Sequence, residues 1–251
     1  MKNMILAGLM ACSLGVFAQR KIEKTIPVSG GQTISMDFEF AELIQLHTYD
    51  KKEILIRGEV SINHGENDEA FEIRSEVQDG KVVITAVLKD QDKIPRRIVI
   101  HRDDQDFFFK TDDMHHPDVV KFLAENNGAY QWTSGGIQRS IKLEVFVPQG
   151  VATTIETKFG TMEITDFNAP LVAKARHGGI DVKVKPSSLG ELRAKTRHGE
   201  ILTNLDIKFD VTPANRNDDF WTEIFKKVGG GYSYDLEATH GKIYLRKAAV
   251  Q

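Results

Sequence analysis

Cysteine is nearly absent from this chain: among 251 residues there is one, Cys12, in the first apolar segment. A single cysteine excludes an internal disulfide. If Cys12 is lost by processing, a thiolate nucleophile and a cysteine metal site are excluded as well. Charge of one sign is also lacking. Lys and Arg number 33 against 36 Asp and Glu, a net charge of −3, which implies no general affinity for nucleic acid. Beyond residue 18 no run of about 18 apolar residues occurs, so no transmembrane helix is expected. The chain also lacks a GxSxG elbow, an HExxH pair and a phosphate-cradling glycine loop, which removes the common contiguous signals of catalysis.

The first 18 residues read as a secretory signal. Lys2 supplies a short positive region, Met4 to Val16 is almost wholly apolar or small, and Val16 and Ala18 sit at −3 and −1 of a small-residue cleavage site. Gln19 then begins the mature chain, with a net charge of −4 after loss of Lys2. A cut before Cys12 in LMAC would instead give a lipoprotein. Met10 fits that motif poorly, and the apolar region would be very short.

What is present is a phrase repeated four times: TKFGTMEI at 157–164, ARHGGIDV at 175–182, TRHGEILT at 196–203 and ATHGKIYL at 238–245. Two residues after the glycine come Met162, Ile180, Ile201 and Ile243. Four after it come Ile164, Val182, Thr203 and Leu245. Alternating apolar residues on both sides of a glycine predict strand, turn and strand, and repetition predicts coils stacked on one another. Gly160, Gly178, Gly199 and Gly241 are structural: the turn needs either positive φ or a close backbone approach. Outward positions carry Glu163, Lys174, Asp181, Lys183, Arg193 and Lys195, so one face is buried and one is wet.

Residues 20–101 alternate as irregular short strands. Residues 102–138 break the pattern with an acidic stretch, Phe107 to Phe109 and a short helix near 116–126 opened by Pro117. They are expected as an inserted loop. Residues 139–247 carry the glycine-phased coils, so 19–251 is expected to be one domain. Glycine intervals of 18, 21 and 42 leave either a whole degenerate coil or a long insertion before the last copy; residues 212–231 show no alternating strand pair, which favours a second insertion there, with a helical turn around Phe220 to Val228. His198 and His240 then fall in adjacent coils.

The phrase, introduced by a strand ending in VPQG at 147–150, resembles the bacterial putative-adhesin (head-domain) β-strand-repeat family. That resemblance covers about 140–247 well and 25–100 loosely. It implies an all-β, right-handed β-solenoid or β-helix in a secreted or envelope protein, in the periplasm or at the cell surface. It brings no catalytic residues and no cofactor.

Before the glycine stand Phe159, His177, His198 and His240. Histidine is a good metal ligand, but coils about 4.8 Å apart would set the third ring about 9–10 Å from the first. No metal site is therefore expected. One residue earlier come Lys158, Arg176, Arg197 and Thr239. Residues 171–200 hold seven bases and three acids, which on stacked coils would make a basic ridge able to bind an anionic glycan or another envelope component. Lys158, Arg176, His177, Arg197, His198 and His240 are thus the candidate ligand residues. Two other readings are a β-helix polysaccharide lyase or hydrolase, for which the outward carboxylates Glu163 and Asp181 fall at equivalent positions in adjacent coils, and a structural envelope protein that oligomerises. The acidic stretch 102–118 lacks the spacing of an EF-hand calcium loop.

Overall fold

A computed structural model describes residues 19–212 and 220–248. The proposed signal and Cys12 lie outside the described residues, as does part of the second insertion. In chain order the strands are β1 (Arg20–Pro27), β2 (Thr33–Asp37), β3 (Leu43–Tyr49), β4 (Glu53–Ile62), β5 (Phe71–Gln78), β6 (Lys81–Leu88), β7 (Arg97–Arg102) and β8 (Gln105–Phe109). Helix α1 (Pro117–Glu125) follows, then β9 (Trp132–Gly136), β10 (Arg139–Pro148), β11 (Thr153–Thr157), β12 (Thr161–Ile164), β13 (Leu171–Ala175) and β14 (Ile180–Val184). The chain ends with β15 (Leu189–Thr196), β16 (Ile201–Thr203), β17 (Asp210–Thr212), β18 (Thr222–Lys227), β19 (Tyr232–Ala238) and β20 (Ile243–Lys247).

These form two large mixed sheets in sandwich-like layers and one small sheet. The first runs β1-β4-β10-β3-β12-β14-β20-β16, the second β17-β18-β15-β19-β13-β11-β2-β6-β5, and the third β8-β7-β9. Each phrase gives one strand to each large sheet and turns the corner between them at its glycine. The centre of each sheet is parallel, as in β11 with β13 and β12 with β14. Antiparallel partners flank it: β1 with β4, β5 with β6, and β18 with β15 and β17.

This arrangement overturns the expected right-handed β-solenoid. In a solenoid each coil lies on the preceding one. Here the last copy, β19–β20, sits between the second and the third: β13 and β15 both pair with β19, and β14 and β16 both pair with β20. The sheets stay open at their edges. Burial explains the order. Ile243 and Leu245 of the last copy are at most 1% exposed, whereas Thr203 occupies the matching inward place in the third copy and is exposed. The copy with the polar residue takes the sheet edge, where that residue meets water.

The core follows strand parity. Sheet two contributes small or slim residues such as Ala173, Ala194 and Leu236, and sheet one contributes Ile180, Val182 and Ile243, all fully buried. Burying each of the larger side chains contributes about 1.5–3 kcal/mol. A fifth, unrecognised copy lies at 33–49: β2 pairs with β11 and β3 with β12, so the strands of residues 20–88 share the same two sheets, while β7 goes to the small one. The run 102–138, expected as loop and helix, also contains two strands. β8 and β9 flank β7 antiparallel, and Asp103 and Asp104 take φ of 49° and 60°, the pair of positive values that a tight two-residue hairpin requires. Ile98, Ile100, Phe107 and Phe109 pack under Val119 and Phe122 of α1. Phe220 to Val228, expected as a helical turn, instead contains strand β18.

Asn63 joins the small sheet to the body. Fully buried, its side chain donates to Asn67 Oδ1 (2.8 Å) and Pro95 O (2.9 Å) and accepts from Gln138 N–H (3.2 Å). Asn63→Ala is expected to cost about 2–4 kcal/mol in urea unfolding, from the stranded partners and the positive φ.

The turn glycines act by close approach, not by φ. None of the four has positive φ. A Cβ on Gly178 would lie 1.9 Å from Gly160 O, on Gly241 1.9 Å from Gly178 O, and on Gly199 2.0 Å from Gly241 O. Backbone cannot yield as a side-chain tip can. Gly178→Ala is expected to lose at least about 3 kcal/mol or fail to fold, while Gly30→Ala, with open space around it, stays within about 0.5 kcal/mol by the same measurement.

Candidate functional site

The corner turns form a ladder of their own. Arg176 N–H donates to Thr157 O (3.0 Å) and His177 N–H to Lys158 O (2.8 Å). Thr239 N–H and His240 N–H then donate to Ala175 O (2.9 Å) and Arg176 O (3.0 Å), and His198 N–H donates to Thr239 O (2.9 Å). These bonds continue the β-spacing around the corner, so side chains before the glycine stand one above another.

The result is a column of five rings: Phe159, His177, His240, His198 and Phe220. Centroid separations are 5.5, 4.9, 5.0 and 5.9 Å in that order, with interplanar angles of 18°, 20°, 24° and 35°. The ring faces are taken up by stacking, so the column presents its edges, and with them imidazole nitrogens, to solvent. His240 Nδ1 lies 3.1 Å from Arg176 O, which fixes the proton on Nδ1 and leaves Nε2 as an acceptor in the neutral ring. The third histidine in space is His198, not His240, because the last copy is intercalated. Phe220 has no counterpart in the repeated phrase, and no periodic signal in the sequence could have placed it here. Stacked, nearly parallel imidazoles do not converge, and among the described residues no group of three His, Cys, Asp or Glu is arranged to hold a metal.

The cationic residues separate into two kinds. Lys158 is held by Glu39 at 2.6 Å, beside Asp37, whose carboxyl is raised above its usual range by burial and by Glu156 and Glu39. Lys174, Lys185, Arg193 and Lys195 pair with Glu156, Asp166, Glu223 and Glu237. Most of the expected basic ridge is therefore neutralised by interleaved acids. Arg176 and Arg197 are exposed beside the ring column. One strand, carrying Thr239, separates them, which sets their backbones about 10 Å apart. Lys183 lies on β14 in the other sheet. The paired carboxylates are also committed: Glu163 accepts from Gln45 (3.1 Å), and both oxygens of Asp181 accept from Arg246 Nε (2.9 and 2.8 Å).

His177 is held below the ordinary histidine range, first by desolvation and then by His240, Arg176 and Lys158. Protonation is thus disfavoured in the folded state. Its stabilising contribution is complete above the ordinary histidine pKa and is lost as pH falls through that value to the lowered one. An NMR titration is expected to show His177 titrating at a lower pH than a histidine in the unfolded chain, and Arg176→Ala should move it upward by removing one repelling charge.

No protein-family model matches the chain, and no curated protein matches its sequence. Among solved structures, a putative cell adhesion protein from Clostridium sporogenes superposes with a TM-score of 0.49 at 10% identity, over 92% of this chain and 100% of that one. A putative adhesin from Bacteroides fragilis does so with a TM-score of 0.23 at 9% identity, over 90% and 97%. At these values neither likeness assigns a fold or a function to this chain.

Proposed function

We propose that this protein is an adhesin-like binding module of the cell envelope or exterior, and that the corner edge is its ligand surface. One observation carries the reading: an exposed column of three imidazoles between two phenylalanines, flanked by Arg176 and Arg197. Stacking and the corner hydrogen bonds hold the rings in place before any ligand arrives, so little ordering of these rings remains to be done on binding. The edge is linear and repeats at the strand spacing, which matches an extended polymer better than a small compact ligand. Arginine favours carboxylate, sulfate or phosphate groups, and an imidazole edge adds hydrogen bonds to hydroxyls. An anionic glycan combines all of these features. The opposite, Lys158 end is occupied by Asp37, Glu39 and Glu156, which would repel the same ligand. This favours the part of the edge running from Arg176 toward Arg197, since the acids line the surface on the Lys158 side of Arg176.

Glycan arrays and pull-downs with the double variant Arg176→Ala, Arg197→Ala test the reading. Two exposed charge contacts of about 0.5–1 kcal/mol each correspond to a loss of roughly tenfold in affinity, with a weaker salt dependence than the parent. Unchanged binding to every hit would remove the corner edge from consideration.

A further inference from the structure

The small sheet carries a second constellation, far from the corner edge in sequence and independent of it in chemistry. His101 on β7 lies directly opposite Asp106 on β8. Ser134 on β9 lies diagonally across its other side, two residues beyond Trp132, which is the direct partner of His101. His101 Nδ1 is 2.5 Å from Asp106 Oδ1, and its Nε2 is 3.2 Å from Ser134 Oγ. Trp132 stacks on the imidazole with centroids 3.4 Å apart at 14°, which fixes the ring plane. The carboxylate keeps the proton on Nδ1. That leaves Nε2 as an acceptor aimed at the Ser134 hydroxyl, the polarity by which an imidazole activates a serine. The His101 side chain is 15% exposed and that of Asp106 51%, while Ser134 is half-buried at the open edge of the sheet.

The backbone also offers a candidate donor for the developing negative charge. Ile98 N–H donates to Thr111 O on the β8 side, and His101 O accepts from Gln131 N–H on the β9 side. Alternation along β7 therefore turns Val99 and its partner Ser134 toward each other, and turns the Gly135 N–H off the free edge of β9. The amide following a nucleophilic serine is a recurrent oxyanion donor.

We infer that His101, Asp106 and Ser134 form a nucleophilic site that hydrolyses O-acyl esters through an acyl-serine intermediate. Ser134 Oγ bonds to the acyl carbon as its proton passes to His101 Nε2. The ester C–O bond breaks, and that proton goes to the departing alcohol. Water then adds to the acyl-serine, its proton passing through the same nitrogen. A carboxylic acid leaves and Ser134 is restored, with no oxidant, reductant or metal needed. Ser134 and His101 are the catalytic residues and Asp106 a positioning residue. An open site with a single amide donor favours esters over amides, because an alcohol departs more readily than an amine.

The exposed imidazoles of the corner edge can cleave activated esters unaided, so the test reads covalent labelling mapped to one residue. An alkyl fluorophosphonate is expected to form a P–O bond to Ser134 with loss of fluoride, found by mass spectrometry of the peptide containing Ser134. Ser134→Ala should carry no adduct there, and His101→Gln should label at least about a hundredfold more slowly. Asp106→Asn should lower the limiting labelling rate at least about tenfold without raising the half-saturating reagent concentration. Thermal unfolding of each variant checks that the small sheet remains folded. Absence of label on Ser134 in the parent protein, or equal labelling in a folded His101→Gln variant, overturns the proposal. Neither result bears on glycan binding at the corner edge.

Discussion

The close passage of one turn's backbone over the next is the constraint on which the rest of this structure depends. At Gly160, Gly178, Gly241 and Gly199 a neighbouring backbone carbonyl occupies the space that a Cβ would need. Because the turns approach so closely, hydrogen bonding at the β-spacing continues around the corner, and both large sheets are held in a common register. The register in turn fixes inward parity, so Ile180 and Ala173 face the same core from opposite layers. It also fixes the spacing of the rings one residue before each glycine. The core and the candidate binding edge are two consequences of one backbone contact.

Intercalation of the last copy changes how the edge is built. It places Thr239 between Arg176 and Arg197 and makes His240 the central ring, stacked on both His177 and His198. It also leaves the third copy at one end of its sheet, where β15 is covered by β18 and β16 is an edge strand. Lys158 belongs to the other end of the column, where Glu39 and Asp37 come from the N-terminal copy. The charge that looked continuous along 171–200 is divided by these neighbours into ion pairs on the sheet face and two arginines at the corner.

The small sheet shows why some sites escape motif reading. His101 and Ser134 are 33 positions apart with Asp106 between them, and the three share no fixed spacing with any contiguous signature. They meet because a tight turn at Asp103–Asp104 folds β8 onto β7, and because β9 returns to the other side of β7 after the helix. Phe220 is similar: it completes the ring column from a stretch without repeat character. In both cases the informative relation is which strands are neighbours, and that relation has no local trace.

By itself the sequence determined the strand parity, the two-strand copies with a turn glycine, the start of α1 at Pro117 and the histidines flanking one another in some order. Each of these is a local pattern, set by alternation, by a missing Cβ or by a helix-start residue. The neighbour order was decided only in the tertiary structure, because all the copies offer nearly the same inward residues and could pair in several orders. Thr203 was the one residue that marked an edge position, since its hydroxyl stands where the other copies bury an aliphatic chain. Ion pairing was likewise a tertiary matter: Lys158, Lys174, Arg193 and Lys195 found their carboxylates on neighbouring strands and turns, and that choice left the ring column with Arg176 and Arg197 beside it.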